Sequence, residues 1–385
     1  MRRFLQSFFL VFFPSLIVSP FFFLNAAKAE SGPRVQVSHT TESLRGVSAV
    51  SREVAWASGT HGTYLRTTDG GVTWTPAQVP DAGTLDFRAV VAFSADEAFL
   101  MSAGPGEQSR IYHTGDGGKN WQLQFTNSNP KGFFDSMVFW DARHGVVVGD
   151  PVADESGTLK FEVLMTDDGQ NWRVIPPARL PAAMEGEGAF AASNTCLAVL
   201  SGGWGQSNDQ NIWFATGGKT SRVFHSADHG VSWEVFETPM VHGADSAGIF
   251  SIAFRDAMHG VIAGGDYKRP KDDGPNLAFT EDGGKTWRLS NLHPLAYFSA
   301  VAYDQKVNAQ AVREAEVEKA MRVKGIAPER ILIVGQDFVF DFRPPKRPRR
   351  IDGKEELGIG FNAASAYPEG GVLVVGPKGA VAMIP

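Results

Sequence analysis

Apolar stretches of strand length recur from residue 44 to the C-terminus, and each opens in the same way. A large apolar residue comes first, then a usually small or polar one, then an apolar run. The seven openings are Leu44-Arg45-Gly46-Val47, Phe87-Arg88-Ala89-Val90, Phe134-Asp135-Ser136-Met137, Phe190-Ala191-Ala192, Phe250-Ser251-Ile252-Ala253, Phe298-Ser299-Ala300-Val301 and Phe361-Asn362-Ala363-Ala364. Most continue through a polar turn into a second apolar run, as in Asp141-Ala-Arg-His144-Gly145-Val-Val-Val and Asp256-Ala-Met-His259-Gly260-Val-Ile-Ala. Short strands joined by regular turns predict an all-β repeat protein.

A second repeat fixes the period. An octapeptide running from Ser or Thr to Trp recurs five times, with Asp five residues and Gly three residues before each Trp. The pairs are Asp69 and Trp74, Asp116 and Trp121, Asp167 and Trp172, Asp228 and Trp233, and Asp282 and Trp287; the third copy opens on Met165. Successive Trp residues lie 47, 51, 61 and 54 apart, the length of one four-stranded propeller blade. The Asp carboxylate can accept N–H groups of its own turn, the Gly supplies positive φ, and the Trp starts the next strand. Each unit is therefore a hairpin staple. It lacks the spacing and terminal bidentate Glu of an EF-hand calcium loop, so no metal is expected.

Seven openings predict a single seven-bladed β-propeller. The seventh unit reaches Pro385 with three strands, and the alternating stretch Val35 to His39 can supply the fourth and close the ring. Blade six departs from the pattern. It has no octapeptide and carries an insertion over 304–330, within which Asn308 to Lys324 reads as a solvated helix. The basic run Lys346 to Arg350 reads as a proline-stiffened surface loop.

Residues 1–29 read as a secretory signal rather than as fold. Arg2 and Arg3 precede an apolar run from Phe4 to Leu24, and Ala27-Lys28-Ala29 supplies a small-residue cleavage site. Residues 30–385 then form the propeller, exported to the periplasm or beyond. Its balance is 33 basic to 42 acidic residues, a net charge of −9, which argues against nucleic acid as a partner. The 42 glycines suit many tight turns, and the lone Cys196 excludes an internal disulfide.

The octapeptides resemble BNR/Asp-box repeats, which sialidases, some glucan hydrolases and several non-enzymatic propellers share. The wider pattern is most similar to the photosystem II stability/assembly factor-like family of exported propellers. That similarity is carried by Leu44-Arg-Gly-Val, Val54-Ala-Trp-Ala-Ser-Gly, Leu65-Arg-Thr-Thr-Asp-Gly-Gly and the closing Val374-Val-Gly-Pro-Lys-Gly-Ala-Val-Ala. It implies a propeller that acts as a protein-binding or assembly platform, and it covers nearly the whole chain after residue 29. Asp boxes specify the fold strongly and the function weakly.

Enzyme signatures are sparse. There is no G-x-S-x-G, H-E-x-x-H or P-loop, and Gly186-Glu-Gly188 precedes a strand-like run instead of opening a helix, so neither nucleotide nor cofactor is expected. The expected site is the channel mouth, where the inner strands begin. Repeat alignment puts Arg45, Arg88, Asp135, Ala191, Ser251, Ser299 and Asn362 there, with Trp204 and Tyr267 on neighbouring loops. These form the expected binding face of a monomer whose partner is another envelope or membrane protein. The alternative is a glycoside hydrolase acting on an extracellular glycan, with its carboxylates among Asp135, Asp150, Glu187 and Asp266.

Overall fold

The computed structural model describes residues 33–200, 210–292, 296–304, 330–335, 338–343, 349–350 and 360–385. Residues 1–29, read above as a signal, Trp204, nearly all of the blade-six insertion and residues 346–348 of the basic run lie outside them. The described chain is all-β, with three single-turn 3₁₀ segments. Its strands form seven antiparallel blades. Blade one is typical: Leu44–Ala49, Ala55–Gly59, Thr63–Thr67 and Thr75–Gln78, paired in that order. In blade seven, Arg34–Gln36 pairs with Val381–Ile384, so the N-terminal strand closes the ring. The first strands of successive blades touch all the way round and leave a central channel.

Hydrophobic cores lie between blades rather than within them. Seven buried clusters are present among the described residues, one at each blade–blade interface; Leu44, Leu65 and Trp74 of blade one, for instance, pack on Leu373 and Val375 of blade seven. A fully buried large side chain contributes about 1.5–3 kcal/mol. An exposed ion pair such as Arg173–Asp167 contributes about 0–1 kcal/mol, so stacking holds the ring. The inner strands are also stitched by side chains. Ser48 Oγ accepts Ala92 N–H at 3.0 Å, Ser365 Oγ accepts Ala49 N–H at 3.0 Å, and Asn194 both accepts from and donates to the Met137 backbone.

The Asp boxes sit between the third and fourth strands, at the end of the channel away from Arg45. In blade one, Asp69 Oδ1 accepts the Thr67 hydroxyl and Thr73 N–H, each at 2.9 Å, and Oδ2 accepts the Thr73 hydroxyl at 2.5 Å. These bonds, led by those from Thr73, pull the Asp69 carboxyl down to about 2. Gly71 supplies φ +79°, and the Trp74 indole donates to Gln36 of the closing strand. The third box corrects the expected alignment. It is one residue shorter, so Thr166 and Asp168, not Met165 and Asp167, fill the motif; Asp168 accepts from Thr166, Gln170 and Asn171. Asp167 points outward to Arg173 at 3.1 Å.

Blade four corrects a second expectation. Its inner strand is Leu197–Val199, not the run from Phe190. Phe190 stacks on Phe250 at 3.9 Å, so its segment crosses the channel before Asn194, at φ 60°, turns the chain into the strand. Two short strands, Glu187–Gly188 and Gly217–Gly218, add to blade five there. Ile212–Ala215 belongs to blade four, and blade three's second strand continues through Asp150 to Ala153.

Candidate functional site

A cavity of about 460 Å³ opens at the end of the channel where the first strands begin. The reason side chains converge there is local. Blades one, two, three and six each carry a β-bulge at the start of the first strand, and the bulged residues are Arg45, Arg88, Asp135 and Ser299. A bulge leaves one residue unpaired and re-aims its side chain; these four line the cavity. In blade five the bulge falls on Phe250, one residue earlier than the sequence alignment had it. Ser251 is therefore displaced from the lining, and its hydroxyl instead accepts Val301 N–H at 2.9 Å.

Positive charge collects on one side. Arg88 Nε donates to Asp86 at 2.8 Å and its Nη1 to the Ala191 carbonyl at 2.8 Å. Among the described residues Arg45 makes no ion pair, and its Nε has no hydrogen-bond partner. Burial first, and then the neighbouring Arg88 charge, lower the Arg45 pKa. Leaving a guanidinium partly desolvated and unpaired is costly unless a ligand completes it.

Negative charge faces it from blade three. Asp135 is 1% exposed; it accepts Ala191 N–H, and its Oδ2 has no partner. Burial, then repulsion from Asp150, raise its pKa well above the carboxylate range. Asp150 Oδ1 accepts Ala189 N–H at 3.0 Å, and burial pushes this carboxyl up to about 6. Gly188 must stay small, because a Cβ there would lie 2.9 Å from Asp150 Oδ1. The remaining wall is aromatic: Phe250 stacks on Phe190 and meets Tyr267 and Tyr297 edge-on at 6.1 and 4.9 Å.

The other expected residues divide clearly. Ala191 contributes its backbone; Asn362 lines the cavity and donates to Leu44 O at 2.7 Å; Tyr267 is 48% exposed at the rim. Glu187 and Asp266 are not available for catalysis. Glu187 is buried against Arg222, with contacts at 2.5 and 3.0 Å, and Asp266 is held by Arg269 at 3.0 Å. Only Asp135 and Asp150 of the four acids line the cavity. Sequence reasoning missed Asp86, Phe250 and Tyr297. Asp86 lies two residues before Arg88 in the same strand, a legible signal, whereas Tyr297 directly precedes an expected strand opening and read as loop. Among the described residues no group of three or more His, Cys, Asp or Glu could hold a metal ion.

Comparison with known proteins agrees with this fold. Residues 25–132 match the family described as photosynthesis system II assembly factor YCF48. The photosystem II stability/assembly factor HCF136 of Arabidopsis thaliana is 25% identical over 273 residues, 60% of this chain. The chain spans 62% of that relative's length. The WD40 propeller domain of Doa1 superposes with a TM-score of 0.56 at 12% identity, covering 91% of this chain and 96% of that one. A structure of YCF48 bound to D1 peptide is 17% identical with a TM-score of 0.38, over 91% and 96% of the two chains. The chain is thus a β-propeller similar to the photosystem II assembly factors.

Proposed function

We propose that this chain is an exported, non-catalytic platform that binds another protein through the channel mouth and serves its assembly. The observation that supports this most is Arg45. It is a partly desolvated arginine whose buried Nε has no partner among the described residues, beside Arg88 and an aromatic wall, in an open cavity. Such a site fits a partner segment that brings an acidic group next to an apolar one. A rigid mouth built on strand ends loses little order on binding. The assembly role follows the name of the 25% identical relative, and export follows the charged, apolar, A-x-A order of residues 1–29. The test is a pull-down of the tagged chain from its native envelope. One stoichiometric protein that is lost from the R45E/R88E variant supports the reading; a partner retained unchanged by that variant refutes it.

A second reading rests on Asp135 and Asp150, two carboxyls of raised pKa in one cavity. On it the chain hydrolyses a glycan, and D150N abolishes turnover on a glycan array.

A further inference from the structure

Among the described residues neither Arg45 nor Arg88 forms an ion pair with Asp135 or Asp150. The segment from Ala189 to Ala191 lies between them: its N–H groups go to Asp150 and Asp135, and its Ala191 carbonyl takes Arg88. Asp86 is the carboxylate on Arg88, which leaves Arg45 unmatched. Two acids of one blade therefore share one open cavity with a pair of arginines while remaining free to change charge.

Resting on the reading of the mouth as a binding face, we propose that Asp135 and Asp150 are a proton-controlled counter-charge to Arg45 and Arg88, so that the mouth takes up an anionic group together with a proton. The electrostatics follow from the neighbours. Asp150 meets the charge of Glu162 on the following strand and acts on Asp135 of the preceding one, and it lines the same cavity as Arg88 of blade two, whose own carboxylate is Asp86, and Arg45 of blade one. Glu187, on the short strand beside it, is neutralised by Arg222, and Lys160 is turned away to the Leu180 carbonyl. Tyr267 and Tyr297 complete the rim, and no histidine lines the cavity. Glu162 itself is pushed up by burial, so the three acids of blade three resist full ionisation together.

With both acids protonated, Arg45, Arg88 and Asp86 leave the mouth with one net positive charge. Ionising Asp150 cancels it. Asp150 titrates near pH 6, and burial together with repulsion from Asp150 raises the Asp135 pKa well above its ordinary value. An anion seated on the arginines repels the ionised form of Asp150 and raises its pKa further, which by linkage is the same coupling as tighter binding in acid. Neutral Asp135 has an O–H to donate, and its buried Oδ2 has no partner among the described residues.

The probe is N-acetyl-L-phenylalanine, whose carboxylate beside an aromatic ring matches the arginines beside Phe250 and Tyr297. A terminal carboxyl titrates at about 3.3–3.7, so the probe stays anionic at pH 5. Calorimetry on the whole chain at pH 5.0 and 7.5 is expected to show about five- to tenfold tighter binding in acid. Repeating it near pH 6.5 in two buffers of different ionisation enthalpy is expected to show uptake of part of a proton. That count needs no variant and survives any folding defect in one. D150N is expected to bind at pH 7.5 as tightly as the wild type does at pH 5.0, with no proton uptake. Equal affinity at both pH values with no uptake overturns the proton coupling and leaves the mouth as a binding site. No binding at either pH, or binding that R45E/R88E leaves unchanged, overturns the mouth reading itself.

Discussion

Single side chains at three places carry separable consequences. The Glu187–Arg222 pair is almost fully buried, 0% and 5% exposed, and Thr216 also donates to the carboxylate. Removing one partner leaves an uncompensated charge, so R222M is expected to lower the unfolding free energy by about 3–5 kcal/mol in urea titration. Asp168 holds the third Asp-box turn through both oxygens, whereas Asp167 meets only an exposed arginine. D168N is expected to lower the melting temperature by roughly 2–4 °C and D167N to leave it unchanged. The reverse result would restore the eight-residue alignment. Asp150 sets a pH dependence of the opposite kind to the boxes. Its pKa in the fold, about 6, lies above the ordinary 3.8, so its protonated form favours folding. That contribution is complete below the ordinary value and is lost as pH rises through 6. D150N is accordingly expected to stabilise the protein at pH 7.5 by about 2–3 kcal/mol, and to flatten the fall in stability between pH 4 and 7. Box carboxyls such as Asp69 act below that window, because theirs are pulled down.

Individual strands were legible where the opening phrase and the pairing register coincide. In blades one, two, three and six the polar residue after the large apolar one is the bulge, so alignment of the phrases found Arg45, Arg88, Asp135 and Ser299. Blade five looks identical in sequence, but its strand starts earlier, at Ala247, and the bulge moves to Phe250. Blade four fails for a tertiary reason. Phe190 has the strand-opening signature, yet its ring finds Phe250, and Asn194 takes over the contact with blade three. Nothing local distinguishes the two uses of a phenylalanine. The closing strand was readable from alternation alone. It pairs over Arg34–Gln36, and Gln36 accepts the Trp74 indole at 2.9 Å. Deleting residues 33–38 is expected to cost about 1–3 kcal/mol through the orphaned indole alone. It also bares the edge of Val381–Ile384, so calorimetry should show a lower melting temperature and size-exclusion chromatography a new oligomer.

The whole molecule presents two unlike ends. The Asp-box end carries five turns held by their own Asp side chains, with exposed tips such as Val72, whereas the mouth end gathers two arginines, two acids of raised pKa and six aromatic rings. The mouth's position was legible because it depends on topology: first strands of a propeller all begin at one end. Its chemistry was legible only in part, since the backbone of Ala189 to Ala191 reaches it from a segment that no repeat predicts. Against a chain of net charge −6, the arginine pair is a local exception that an acidic partner segment would have to find at short range. Site-specific photo-crosslinking compares the two ends directly. A crosslinking amino acid placed at Tyr267 on the mouth rim, and separately at Val72 on the Asp-box end, reports which end meets a partner in the cell that makes the protein. A protein adduct formed from position 267, absent from position 72 and lost when Arg45 and Arg88 are reversed to Glu, is the predicted result. Adducts that form equally from position 72, or that persist in R45E/R88E, would contradict a partner-binding mouth.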